Sequence, residues 1–312
     1  GASQMREPFL MGLSAIAWWA VIAIPRTPIR WHPLAALIAA SLGLMVLSWR
    51  AALPILLAIS LWFVVDTLLD RMKSSTRWVM LAVLAVAFLV LAALSWRWFS
   101  EAGGWDMRVL EMSSGMLTRQ LSKLPESLQF VFIIFYGLTQ PVLPAAIFET
   151  ALPIRTAIAI GRALGWYALA PLLISAGVSL WRIPDRTQRR LMMLAAAFSA
   201  AWIFVSSFRA GGDLWDNPRY RTILIIWLAL LAAWAWVWAR QKRSSWLWRI
   251  LAVEGIFLAF FTHWYLGRYL SAWPKMPLFP MLGLIALGAV LVIGGGVIWD
   301  RWRNHHPPRK TL

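Results

Sequence analysis

The run Pro277-Leu-Phe-Pro-Met-Leu-Gly-Leu-Ile-Ala-Leu-Gly-Ala-Val-Leu-Val-Ile-Gly-Gly-Gly-Val-Ile298 carries no charge anywhere along its length. Coiled as a helix, it is long enough to cross a hydrocarbon layer of about 30 Å. Runs of roughly 16–24 apolar residues, the length a lipid-crossing helix needs, recur upstream at Phe9–Ile24, Pro33–Leu47, Ala52–Leu69, Trp78–Trp96, Ala157–Leu180, Leu191–Ser207, Thr222–Ala239 and Trp246–Leu266. Lipid offers no partner to a backbone N–H or C=O, so a chain of such runs must be helical throughout. The expected fold is all-α: a polytopic transmembrane helix bundle of about nine to ten spans, forming one integral membrane domain over residues 1–312.

Composition agrees. Of 312 residues, 61% are hydrophobic, against about 45–50% in soluble domains, and the mean hydropathy is +0.66. The net charge of +17 would suit a nucleic-acid binder, but the bases sit in short loops between spans, where they set orientation. Nucleic acid is therefore excluded as a partner, and the lipid bilayer is the expected one. The chain has no cysteine, which excludes disulfides, thiolate metal sites and thiol nucleophiles. Most of its 23 tryptophans flank the spans, as interfacial anchors do. The chain opens Gly-Ala-Ser-Gln with its first methionine at Met5. That start reads either as a tag remnant or as a chain truncated at its N-terminus, with a further segment upstream.

One apolar stretch, Phe130–Phe148, is interrupted by Gly137, Pro141 and Pro144. Two prolines three apart delete two backbone donors and crowd the preceding turn. The stretch is either a kinked span or a re-entrant hairpin, and the basic residues arbitrate. Arg301, Arg303, Arg309 and Lys310 place the C-terminus in the cytoplasm. Counting back, the loops with Arg240, Lys242 and Arg243 and with Arg182, Arg186, Arg189 and Arg190 are cytoplasmic too. A re-entrant Phe130–Phe148 also brings Arg71, Lys73 and Arg77, and Arg26 with Arg30, inside, so it obeys the rule better. The expected location is a membrane crossed many times, with the C-terminus in the cytoplasm. The connection 99–129 then lies outside, and its Met107–Leu124 stretch has the spacing of an amphipathic helix lying on the membrane surface.

Chemistry concentrates in Arg209-Ala-Gly-Gly-Asp-Leu-Trp-Asp-Asn-Pro-Arg-Tyr-Arg221, between two spans. Gly211 and Gly212 permit a tight turn, and Asn217-Pro218 initiates a helix. Arg219 and Arg221 then stand at a helix N-terminus that already favours an anion, and guanidinium forks fit phosphate oxygens. Asp213 or Asp216 could serve as a base or hold the arginines by ion pairing. An ordinary interfacial loop, its charges paired with each other and with headgroups, accounts for the same residues.

Other candidates are weaker. Asp106 and Glu111 would stand about 140° apart on a helix, which makes a poor carboxylate pair. Asp66, Arg162, Glu254 and His263 lie within or near spans, where ionisable groups form either conduction paths or structural ties. Tyr136-Gly-Leu-Thr-Gln-Pro-Val-Leu-Pro144, with Thr139 and Gln140, would expose backbone dipoles at membrane depth, as transporters do, or would be a simple proline kink. His305-His306 belong to a basic tail. No phosphate-binding loop, dinucleotide fingerprint, zinc-protease motif or nucleophile elbow is present. No cofactor is expected; Asp213 and Asp216 alone make a thin case for a divalent metal.

Two stretches carry a family resemblance: Leu124-Pro-Glu-Ser-Leu-Gln129 with the apolar Phe130–Pro144 segment, and Asn217-Pro-Arg-Tyr-Arg221 leading into a span. Their layout resembles the C-terminal half of bacterial multispanning glycosyltransferases of the GT-C type and of O-antigen polymerase-like proteins. The resemblance covers about a tenth of the chain. It implies transfer of a sugar from a polyprenyl-phosphate or polyprenyl-pyrophosphate carrier in cell-surface polysaccharide assembly. Asp213 and Asp216 would be the catalytic residues. Arg209, Arg219, Tyr220, Arg221 and Arg119 would bind the lipid-linked sugar. Alanine at Arg219 or Arg221 would then abolish activity and spare the fold. The chain departs from the GT-C pattern in having no acid-bearing outer loop after its first span. The competing classes are a transporter or flippase for a lipid-linked or amphipathic anion, acting through Asp66, Arg162 and Glu254, and a non-enzymatic membrane scaffold.

Overall fold

The computed structural model describes residues 6–28, 31–64, 76, 79, 82–83, 86, 121–122, 124–141, 146–147, 152–210, 221–242, 244–270 and 274–305. Among the described residues there is no strand. Eight helices are delimited: α1 (Arg6–Ala23), α2 (Trp31–Phe63), α3 (Glu126–Thr139), α4 (Pro153–Ser179), α5 (Arg186–Ala210), α6 (Ile225–Gln241), α7 (Ser245–Tyr269) and α8 (Leu278–His305). The expected all-helical fold is present among the described residues.

The sequence predicts nine to ten spans. Among the described residues, five helical stretches are long and apolar enough to cross a bilayer: Trp31–Trp49, Pro153–Arg182, Arg186–Ser207, Ser245–Gly267 and Leu278–Trp302. Ala51–Phe63 and Ile225–Gln241 are apolar but shorter. α1, with 18 residues, opens on the charged pair Arg6 and Glu7. The expected span Trp78–Trp96 and most of the expected surface helix Met107–Leu124 lie outside the described residues.

Local chemistry accounts for the helix ends. In α2, Ser48 drops out of the helix (φ −163°, ψ 95°), between the expected spans Pro33–Leu47 and Ala52–Leu69. The start of α5 is capped by Asp185, whose Oδ2 accepts the Gln188 N–H at 2.7 Å, satisfying one of the four orphan donors of a helix start. Leu152 precedes α4, which opens on Pro153, a residue suited to the first helical position. α3 ends at Thr139 because Gln140 precedes Pro141 and is forced extended (φ −70°, ψ 146°). With 14 residues, α3 rises about 21 Å, short of the hydrocarbon thickness. The Phe130–Phe148 stretch is therefore not one continuous helix.

The chain forms two compact units. The first comprises residues 1–140 and 182–229. Its core joins α1, both halves of α2, α5 and the start of α6 around Leu10, Ala17, Trp18, Leu44, Ile55 and Trp227. Trp18 meets Trp227 edge-on, with ring centroids 4.5 Å apart. Alanines at 17, 40, 51, 52, 58 and 195 line this core, and small side chains let lipid-embedded backbones approach closely.

The second unit comprises residues 141–181 and 230–312. Within it α8 lies against α7 at two glycines. A Cβ on Gly288 would stand 2.9 Å from Ile256, and one on Gly296 would overlap Arg249 Nε. The buried Arg249 guanidinium covers Gly296, donates to its carbonyl at 2.8 Å, and reaches Asp300 at 2.7 Å. This pairing brings the start of α7 and the end of α8 to one end of the unit. The basic segments that the orientation count assigns to one face, Arg240–Arg243 and the region from Arg301, flank those helix ends. There Arg240 lies over Trp236, Lys242 over Trp238 and Arg249 over Trp246, at 5.8, 5.5 and 5.3 Å from the ring centres.

Gly296→Ala is expected to displace the guanidinium and break both of its contacts. The cost should be about 1–3 kcal/mol, read as a lower midpoint of thermal unfolding in nanodiscs. A midpoint unchanged from wild type would show that Arg249 does not hold α7 to α8.

Candidate functional site

Of the candidate site residues, Arg221 has a described side chain, and it is buried within the first unit, not turned to solvent. Its Nη1 donates to the Gln140 carbonyl at 2.7 Å, and its Nη2 donates to the Gly137 carbonyl and to Ser207 Oγ, the latter at 3.3 Å. Gly137 and Gln140 close α3, and Ser207 is a fully buried residue of α5. The arginine thus ties the broken end of one helix to its neighbour.

The partners follow from backbone arithmetic. In an α-helix the carbonyl of residue i is bonded by the N–H of residue i+4. For Gly137 that residue is Pro141, and for Gln140 it is Pro144. Neither proline has an N–H to give. The Gly137 oxygen receives the weaker i+3 bond from Gln140 N–H at 3.2 Å. Arg221 brings guanidinium donors to both oxygens. It also puts positive charge at a helix C-terminus, where the macrodipole favours it.

The rest of α3 is held in place by its own side chains. At its start, Gln129 Nε2 donates to the Leu121 and Leu124 carbonyls at 3.3 and 3.2 Å, fixing the approach of the chain. Phe132 and Tyr136 stack one turn apart, and Ile133 packs on Leu121 beside them. Thr139 Oγ1 returns a bond to the Tyr136 carbonyl at 2.7 Å, satisfying another of the last carbonyls of the helix.

Gln140 itself stands out. It is fully buried, its N–H bonds Gly137 and its carbonyl accepts from Arg221. Its side-chain Oε1 and Nε2 are both buried and meet no hydrogen-bond partner among the described residues. A buried amide in that condition is uncommon and carries a desolvation cost of about 1–3 kcal/mol.

The other candidates are placed less fully. Arg209 is a backbone residue of the last turn of α5, and its side chain is outside the description. Asp213, Asp216, Arg219, Tyr220 and Arg119 lie outside the described residues, as does Asp66. Arg221 and Thr222 are helical, a turn follows at 223–224, and α6 begins at Ile225. Arg162 is exposed on α4 and Glu254 half-buried on α7. Among the described residues no group of three or more His, Asp or Glu side chains is placed to hold a metal ion.

Alanine at Arg221 is expected to cost stability, because the side chain donates to the carbonyls of a buried helix end. The roles of Gln140 and Ser207 were not read from the sequence. The proline offsets do point to Gly137 and Gln140 as carbonyls in need of donors, but nothing in the chain says which residue supplies them.

No protein-family model, curated protein or solved structure matches the chain. Fold and composition define the class: an all-helical protein whose apolar helices suit a lipid bilayer.

Proposed function

We propose that this protein is a membrane glycosyltransferase or polymerase that takes its sugar from a polyprenyl-phosphate or polyprenyl-pyrophosphate carrier. One observation supports the reading. The two separate stretches similar to such enzymes, Leu124–Pro144 and Asn217–Arg221, meet through Arg221 and the end of α3. Stretches 81 and 84 residues apart in sequence thus contribute to one polar locus in an apolar protein. Arg221 anchors the segment that precedes α6, which leaves Arg209 and Arg219 to hold the carrier phosphates as charge-assisted forks, with Tyr220 and Arg119 as further contacts. Asp213 and Asp216 activate the acceptor or orient the arginines.

The test is binding of a polyprenyl-pyrophosphate-linked sugar to the purified protein in nanodiscs, followed by transfer of that sugar to a water-soluble acceptor. Saturable binding with transfer is expected. A second reading, carriage of an amphipathic anion across the membrane, draws on the break after α3, since interrupted helices present backbone dipoles inside membranes. It predicts movement of the same lipid across proteoliposomes, without transfer, and sensitivity to Asp66→Asn and Glu254→Gln. Neither binding nor movement would leave the scaffold reading.

A further inference from the structure

We propose that one end of the second unit, where α6 closes, α7 starts and α8 closes, is a binding surface for anionic phospholipid headgroups. The chain fixes this corner closely. Residues 242–244 join α6 to α7, and the turn folds back on α6: the Lys242 N–H donates to the Trp238 carbonyl and the Ser244 N–H to the Ala239 carbonyl, both at 2.9 Å. Arg249, in the second turn of α7, donates to the Gly296 carbonyl and pairs with Asp300, which brings the close of α8 to the same end. Charge there is one-sided. Residues 230–312 contain two acids, Glu254 and Asp300. Glu254 lies in the middle of α7, and the single negative charge of Asp300 is already balanced by Arg249. No acid of this end is left to neutralise Arg240, Lys242 and Arg301, all three of which are exposed.

Depth decides what meets this charge. Trp236, Trp248, Trp299 and Trp302 are exposed toward these same helix ends, and the last two rings lie 5.3 Å apart. Indole rings at the ends of apolar helices settle at the headgroup level of a bilayer. Arg240 lies over the Trp236 ring, and Lys242 lies over Trp238, whose ring stacks on Trp234 at 5.4 Å. The bases are therefore held at the depth of the lipid phosphates, and not out in the water where a soluble acidic protein would meet them. A zwitterionic headgroup carries its own cation beside its phosphate and leaves this charge largely uncancelled. An anionic headgroup offers the phosphate diester with no cation attached, and each base near it adds to the preference. The surface belongs to the second unit, whereas Arg221 and its partners belong to the first.

The test uses the full chain in detergent micelles, titrated with phosphatidylglycerol or with phosphatidylcholine of the same acyl chains, with native mass spectrometry counting the lipid retained. Wild type is expected to hold phosphatidylglycerol roughly 10- to 100-fold more tightly than phosphatidylcholine. The difference should shrink as salt is raised. Arg240→Gln with Lys242→Gln and Arg301→Gln should bring the two affinities together, with an unfolding midpoint in phosphatidylcholine nanodiscs close to wild type. Arg240→Lys with Lys242→Arg and Arg301→Lys keeps every charge and should keep the preference. Arg301→Gln alone, the variant to use if the triple glutamine protein fails to fold, should cut the preference about fivefold. Equal affinity of wild type for the two lipids would overturn the inference. A preference that survives the glutamine substitutions would overturn it too, by moving the lipid to another basic segment. Polyglutamate bound in place of phosphatidylglycerol would overturn it in favour of a soluble acidic partner.

Discussion

Arg221→Ala is expected to lower stability by about 1–3 kcal/mol, because the buried Gln140 carbonyl loses its guanidinium donor while the Gly137 carbonyl keeps the bond from the Gln140 N–H. In lipid the penalty falls toward the upper end, since water is not at hand to replace the guanidinium. Arg221→Lys should rescue little. An ammonium is a point donor on a flexible stem, whereas the guanidinium spans the Gln140 and Gly137 oxygens from its two terminal nitrogens.

The cause can be isolated from the effect. Pro141→Ala with Pro144→Ala returns the N–H groups that a continuing helix would aim at Gly137 and Gln140. In that background Arg221→Ala should cost less by about 1–3 kcal/mol, a coupling of the size seen between residues that share one hydrogen-bond network. Unfolding midpoints of the wild type, the arginine variant, the double proline variant and the triple variant complete the cycle. Strictly additive costs would mean that Arg221 stabilises the protein for some reason other than the missing proline donors.

The second large effect concerns ligand, not fold. With Arg221 committed to α3, the residues to substitute for a binding test are Arg209 and Arg219. Each charge-assisted contact to a phosphate is worth about 1.5–3 kcal/mol. Arg209→Ala with Arg219→Ala should therefore weaken polyprenyl-pyrophosphate binding by two orders of magnitude or more, with the unfolding midpoint close to wild type. Raising the salt concentration should weaken wild-type binding in the same direction and the double variant less, because the screened charges are gone. Unchanged affinity in the double variant would remove the 209–221 segment from the site and turn attention to Asp66, Arg162 and Glu254.

Several features were legible before any coordinates. Uncharged runs such as Pro277–Ile298 cannot be water-exposed loops or soluble-core helices of ordinary length, so helical membrane spans were the one economical reading. The break after Thr139 was equally legible, since Pro141 dictates the conformation of the residue before it. Span boundaries and their number were less legible, because hydropathy reports composition along a window and not where a helix stops.

What the sequence determined by itself is the set of local obligations: which segments must be helical to satisfy their backbone in lipid, where prolines delete donors, and where charge collects between spans. What only the tertiary structure decided is how those obligations are met. The donors for Gly137 and Gln140 come from Arg221, more than eighty residues away along the chain, and the cover for Gly296 comes from Arg249 on another helix. Backbone chemistry acts over four residues and can be read from spacing. The choice among many arginines of the one that reaches a given oxygen depends on which helices lie side by side, and that is set by the summed fit of all their faces.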